Sequence, residues 1–245
     1  MAREVLLERL TRREFRERLQ RGELQAAIIA TGSIEQHLEH LPFCHDTLSA
    51  AWVAEQVAYR LFPKVVVTVP ISIGISEHWM WAPGTLTAKP GSWLAVLFDV
   101  VESLMRHGLR RVLILNGHAG NVAPVQGVLR QWQLYFARQF PESNLQFASY
   151  WDFLPSDFAQ TVLATKRMPG HAQEFETSFA LHAFPDLVRQ DAIAHQDDPE
   201  PAQATAEKGR QLAERAIAGV IAFLQGMLDG TIRMPVDRAI KAGDP

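Results

Sequence analysis

Apolar residues in this chain alternate between short continuous runs and longer stretches in which they recur at helical spacing. Four runs, over 25–30, 64–69, 111–115 and 146–150, are short, apolar and partly β-branched. The first three predict buried strands, 64–69 on both faces, and the fourth a further strand. Between them, the periodic positions Ala51, Val53, Ala54, Val57 and Leu61 predict a helix over 47–62, stopped by Pro63. Similar patterns predict helices over 92–107, 122–140 and 204–228. Gly108 ends the first of these, and Pro124 falls in the first turn of the second, where proline is tolerated. A charged first helix begins after Thr11 as its cap, and 171–184 reads as a helix closed by Pro185. Residues 152–170 read as irregular and 191–203 as a polar surface excursion.

Strands alternating with helices predict an α/β fold: a three-layer α/β/α arrangement around a mostly parallel sheet, in one domain over 1–245. Ligands in such folds sit beyond the carboxyl ends of the strands. The loops that start near Gly32, Ile73 and Asn116 each follow a strand, so their side chains meet at one edge.

Composition narrows the class. Apolar residues make up 47% of 245, enough for a sizeable core, and the net charge of −3 gives no electrostatic reason to expect nucleic acid. Cys44 is alone, so no intramolecular disulfide forms. The N-terminus begins with interspersed charges rather than a signal-like apolar stretch. No run approaches the roughly 20 apolar residues of a membrane span. The expectation is a soluble cytoplasmic protein.

The chemistry concentrates in the loop over 32–46, which carries Glu35, His37, Glu39, His40, His45 and Asp46. Glu35 and His37 are two apart and share a face in extended backbone. Carboxylate oxygen and imidazole nitrogen together suit a divalent cation, and Asp46, with two oxygens, can bridge two ions. The turn Asn116-Gly117-His118-Ala119-Gly120-Asn121 adds an imidazole at the strand end, and His171-Ala172-Gln173-Glu174-Phe175-Glu176 adds a third cluster. His40 and His45 are candidates for orienting the ligands. Ser76, Glu77 and His78, in the long loop after the second strand, are candidate substrate contacts, and Trp79, Met80 and Trp81 candidate pocket wall or subunit contact. No Gly-x-Gly-x-x-Gly follows an early strand, which disfavours a dinucleotide-binding protein.

Taken jointly, Gly-Ser-x-Glu-Gln-His…His-Leu-Pro…Asp, Asn-Gly-His-x-Gly-Asn and His-Ala-x-Glu-x-Glu-Thr-Ser, with Pro83-Gly84-Thr85, resemble the creatininase (creatinine amidohydrolase) family over about residues 25–190. The resemblance implies a two-metal hydrolase, usually a homohexamer, with zinc, manganese or iron. It assigns Glu35, Asp46 and His118 to one ion, and His37 and Asp46 to the other. Creatininases proper take a further carboxylate from the position that is Gly120 here; Glu176 takes that role. His171 matches the histidine of proton transfer and substrate contact, with Glu174 beside it as an alternative. Ala119 stands where creatininases carry a substrate-side tyrosine, and Arg167-Met168 where they carry Trp-Asp. These departures point away from creatinine itself. The function expected is hydrolysis of a C–N bond in a small amide. A formamide deformylase or peptidase of the same family, and a noncatalytic metal- or metabolite-binding subunit, stay open.

Overall fold

The computed structural model describes residues 3–235. Met1, Ala2 and the last ten positions of the expected 1–245 domain lie outside the described residues.

The helix α1 (Arg12–Gln20) starts where expected. Thr11 accepts from the Glu14 amide while the Glu14 carboxylate accepts from the Thr11 amide, satisfying two otherwise orphaned donors. Then follow β1 (Ala26–Thr31), α2 (His45–Arg60), β2 (Val65–Val67), α3 (Pro90–Arg106), β3 (Arg111–Asn116), α4 (Val122–Gln139) and β4 (Asn144–Ser149). Among the described residues there follow α5 (Ser156–Val162), α6 (Glu174–Ala183), a four-residue α7 (Gln190–Ile193) and the long α8 (Ala206–Asp229). Gly108 closes α3 with φ of 100°, a conformation a side chain would disfavour.

All four strands are parallel, in the order β2-β1-β3-β4, with Ala26 opposite both Val65 and Arg111. Because side chains alternate across a strand, the sheet feeds two cores. Ala26, Ile28, Ala30, Leu113 and Leu115 pack with α2, α6 and α8. Ala27, Ile29, Val112 and Ile114 pack with α3 and α4, and Phe15 and Leu19 of α1 join them. Every residue of β1 is buried, as a continuous apolar run between two helical layers requires.

Two expectations change. The stretch 152–170 is not wholly irregular, since α5 lies within it. The third-motif helix begins at Glu174, not at His171: Ala172 stands at φ 55° in the left-handed region, so 171–173 form turns ahead of the helix.

Candidate metal centre

The carboxyl ends of β1 and β3 and the loop after β2 converge, and asparagines hold them together. Asn121 donates to the Gly32 carbonyl at 3.0 Å and to Asn116 Oδ1 at 3.2 Å, and accepts from the Ile75 amide at 3.1 Å. Asn116 Nδ2 donates to the His118 carbonyl at 2.7 Å and to Ser149 at 3.0 Å. The two asparagines of the turn therefore tie the three strand-end loops and β4 into one platform. Gly117 allows the close approach of that turn to α2, because a Cβ there would collide with the Asp46 carbonyl.

On this platform Glu35, His37, Asp46, His118 and Glu176 are all buried. Asp46 lies between two imidazoles: Oδ1 is 2.9 Å from His37 Nε2, and Oδ2 is 2.9 Å from His118 Nδ1. Glu176 Oε2 is 3.9 Å from the same His37 nitrogen, and Glu35 Oε1 is 3.4 Å from the same His118 nitrogen. The far nitrogen of each ring is spoken for. His37 Nδ1 donates to the Glu35 carbonyl at 3.0 Å, and His118 Nε2 to the Ile75 carbonyl at 3.1 Å. A neutral ring so oriented turns a lone pair toward the carboxylates, the arrangement that metal-binding histidines adopt.

Lone pairs meeting lone pairs need a proton or a cation between them. Burial lowers the His37 pKa, but Asp46 and Glu176 carry it up to about 9. Burial also opposes charge on His118, yet Asp46 and Glu35 raise it to about 10. Burial pushes Glu176 up to about 8. Burial acts against Asp46 too, but the two imidazoles hold it well below the usual carboxylate range.

The donor set fits divalent ions. Asp46 Oδ2 is buried and has no hydrogen-bond partner of acceptable geometry among the described residues, and the same holds for His45 Nδ1. Ligand atoms of His37, His45, Asp46 and Glu176 lie within 4.8 Å of one another, as do those of Glu35, His78 and His118, and of Glu35, His37 and His171. Three carboxylates with neutral imidazoles present three negative charges, which two divalent cations offset. His45 and His78 join these groups although the sequence pointed to them only as orienting or substrate-contacting residues.

The remaining expected residues separate. His171 lines a cavity of about 150 Å³ together with Glu35, Asp46, His118 and Glu176. Its ring is stacked on Trp79 at 4.4 Å and meets the His37 ring, tilted by 37°, at 4.5 Å. Burial and the His37 charge lower its pKa to about 4, so it is neutral at pH 7. His78 and Ala119 also line the cavity, with Trp79, Trp151 and Gly170. Ser76 is buried behind His118, hydrogen-bonded to Ser33 and 3.3 Å from His118 Nε2, so it supports that ring. Glu77 is exposed and outside the lining.

Glu174 is not brought into the site. Its fully buried carboxylate takes Lys208 Nζ at 2.5 Å and the amides of Ala164 and Thr165 at 3.0 and 2.7 Å. It clamps the approach to α6, and the alternative of Glu174 as proton donor is corrected by this engagement. His40 bonds Thr177 at 2.7 Å and Gln196 at 3.1 Å, bracing α6 against the first loop. Larger hollows of about 460 and 610 Å³ lie elsewhere, one at the start of β3 and β4 and one between α1 and α3.

The sequence model of the creatininase family, described as creatinine amidohydrolase, matches residues 8–202. Creatinine amidohydrolase of Pseudomonas putida is 28% identical over 207 residues, which are 79% of this chain and 77% of that protein. A 3-dehydro-scyllo-inosose hydrolase of Thermotoga maritima is 30% identical over 196 residues, 76% of this chain but only 58% of that protein. A mycofactocin precursor peptide peptidase of Mycobacterium ulcerans is 29% identical over 175 residues, 68% of this chain and 62% of that protein. Among solved structures, one described as creatininase Mn superposes with a TM-score of 0.78 at 25% identity, covering 91% of this chain and 98% of the other. A mutant creatininase of Zn-Zn type gives 0.76 at 25% identity, covering 93% and 99%.

Proposed function

The chain belongs to the creatininase family of amidohydrolases, and we propose that it opens the C–N bond of a small amide at a centre of two divalent ions. The reading rests on one observation above all. The two oxygens of a single buried carboxylate, Asp46, face two imidazoles whose other nitrogens are both anchored to backbone carbonyls.

Glu35, Asp46 and His118 would hold one ion, and His37, Asp46 and Glu176 the other, with Asp46 shared. Divalent ions held there would supply a water of lowered pKa, from about 15.7 toward neutrality, and a Lewis acid for a carbonyl oxygen. The protein's part is to fix and dry the site. The Ile75 carbonyl holds the His118 ring, and the Ala172 amide, 2.5 Å from Glu176 Oε2, aims that carboxylate. Trp79 and Trp151 wall the cavity and narrow the access of bulk water. His171, on the same wall, is the hydrogen-bond donor we assign to the leaving nitrogen.

Gly120 cannot host a ligand carboxylate here, since a Cβ would meet the Ile75 carbonyl and the His118 ring, and that supports Glu176 in the role. A cavity of about 150 Å³ suits a small molecule better than a run of peptide. That favours a small linear or cyclic amide over the peptidase reading. Zinc and manganese are the metals named for the structural relatives, and iron completes the set we propose. We further assign the protein to the cytoplasm, as a single domain that assembles into a homo-oligomer, a hexamer by family.

A panel of small amides, formamides and short peptides tests this with zinc- or manganese-loaded protein, chelated protein and Glu35→Gln. The reading expects turnover of a small amide that chelation abolishes, metal restores and Glu35→Gln loses together with bound metal. Full activity in metal-free protein overturns it. Tight metal binding without turnover of any class would favour the noncatalytic subunit.

A further inference from the structure

Gln36 lies between two proposed ligands in sequence, Glu35 and His37, and all three side chains meet the ring of His171. Its amide orientation is fixed by the backbone: the Leu38 amide donates to Gln36 Oε1 at 3.0 Å. Leu38 stands at φ 55°, a left-handed conformation uncommon for leucine, in the turn that presents this amide. Since Oε1 accepts, the other end of the side chain is the NH₂ group, and it lies 2.8 Å from His171 Nε2. An NH₂ group only donates, so Nε2 must accept. A neutral imidazole carries one proton, and that proton is therefore on Nδ1. Nδ1 is the nitrogen turned to the centre, 3.7 Å from Glu35 Oε1.

The ring has little freedom to escape this polarity. Trp79 lies on one neighbour contact at 4.4 Å with an interplanar angle of 21°, and His37 is the other at 4.5 Å and 37°. The stack on Trp79 and the tilted contact with His37 set the plane of the imidazole. A half-turn of the ring about Cβ–Cγ would put Cε1 in the place of Nε2 and lose the hydrogen bond from Gln36, so Gln36 opposes it.

We propose that Gln36 is a positioning residue that locks His171 as the Nδ1–H tautomer, so that His171 serves the reacting amide as a neutral hydrogen-bond donor and not as a base. This rests on the functional reading above for what His171 touches; the tautomer itself does not. A neutral donor stabilises charge that develops on the carbonyl oxygen or leaving nitrogen without first having to be protonated. It also means that His171 Nδ1 holds no lone pair for a cation, which keeps the ring out of the ligand set despite its reach.

The test is nitrogen NMR of zinc-loaded protein carrying ¹⁵N-histidine, at pH 7 to 8, with His171→Gln to assign the signals. Wild type should show a protonated, pyrrole-type Nδ1 and an unprotonated, pyridine-type Nε2 for His171. In Gln36→Glu, whose carboxylate only accepts, Nε2 should become the protonated nitrogen. In Gln36→Met, which keeps the volume and removes the polarity, the proton should be shared between the two. A wild-type His171 protonated on Nε2, or a pattern unmoved by Gln36→Glu, overturns the proposal. The wild-type spectrum decides even if a variant does not fold. Zinc content is measured on the same samples: protein that binds no zinc would sink the metal-hydrolase reading, while the nitrogen signals would still decide the role of Gln36.

Discussion

Loading the metal centre should expel protons from the protein, and the number is set by its geometry. His37, His118 and Glu176 have pKa values raised to about 9, 10 and 8. At pH 7 all three are almost wholly protonated. They can ligate a cation only as neutral imidazoles and a carboxylate, so these groups release about three protons per chain at pH 7 and about two at pH 8.5. Calorimetric titration of metal-free protein with zinc, repeated in buffers of differing ionisation enthalpy, reads that count from the slope of apparent enthalpy against buffer enthalpy. The fall in the count between the two pH values is as informative as the count itself. Release of fewer than one proton at pH 7, or a count that does not fall, would refute the claim that these three groups face the ions. Ordinary surface carboxylates, already ionised at pH 7, would give close to none.

Other consequences follow from the same contacts. The metal-free protein should lose stability as pH rises. His37 and His118 have folded pKa values above their ordinary 6.5, so their contribution is full below pH 6.5 and lost as pH climbs through about 9 and 10. The raised pKa of Glu176 acts in the same direction, disfavouring the folded state up to pH 8, and melting temperatures of metal-free against zinc-loaded protein across pH 6–10 check the difference. Lys208→Met removes the ammonium partner of the fully buried Glu174 and should cost about 3 kcal/mol by urea denaturation, with most of it regained in the Glu174→Gln/Lys208→Met double variant. Gly120→Ala would press a methyl against the Ile75 carbonyl and the His118 ring. It should cost about 1–3 kcal/mol and weaken metal binding at the Glu35–His118 end first, read as loss of one equivalent by elemental analysis.

The sheet was legible because β1, β2 and β3 are nearly continuous apolar runs, a pattern that burial between two layers explains. The first helix was legible because Thr11 and Glu14 form a cap that local chemistry alone dictates. The central cluster was legible for a different reason: Glu35, His37 and Asp46 lie within one short stretch that runs from the loop after β1 into the first turn of α2, and the turn holding His118 follows the neighbouring strand. What stayed hidden depends on distance along the chain. Glu174 reads as a helix-start acid beside His171, and only the fold brings Lys208, 34 residues away, onto it. His171 reads as helical because nothing in the sequence announces a left-handed Ala172. Nothing in the sequence of the His118 turn announces that its two asparagines tie three loops together. Gln36 carried a signal, a polar residue wedged between two ligands, but its meaning lies in a hydrogen bond to a ring 135 positions away.

The proposed centre depends on one carboxylate, Asp46, shared between two cations. Crystals of the zinc-loaded protein, with diffraction recorded on either side of the zinc absorption edge, test it directly. The account predicts two anomalous peaks about 4 Å apart, one among Glu35, Asp46 and His118 and the other among His37, Asp46 and Glu176. Peaks confined to the surface, or no peak beside Asp46, would contradict it.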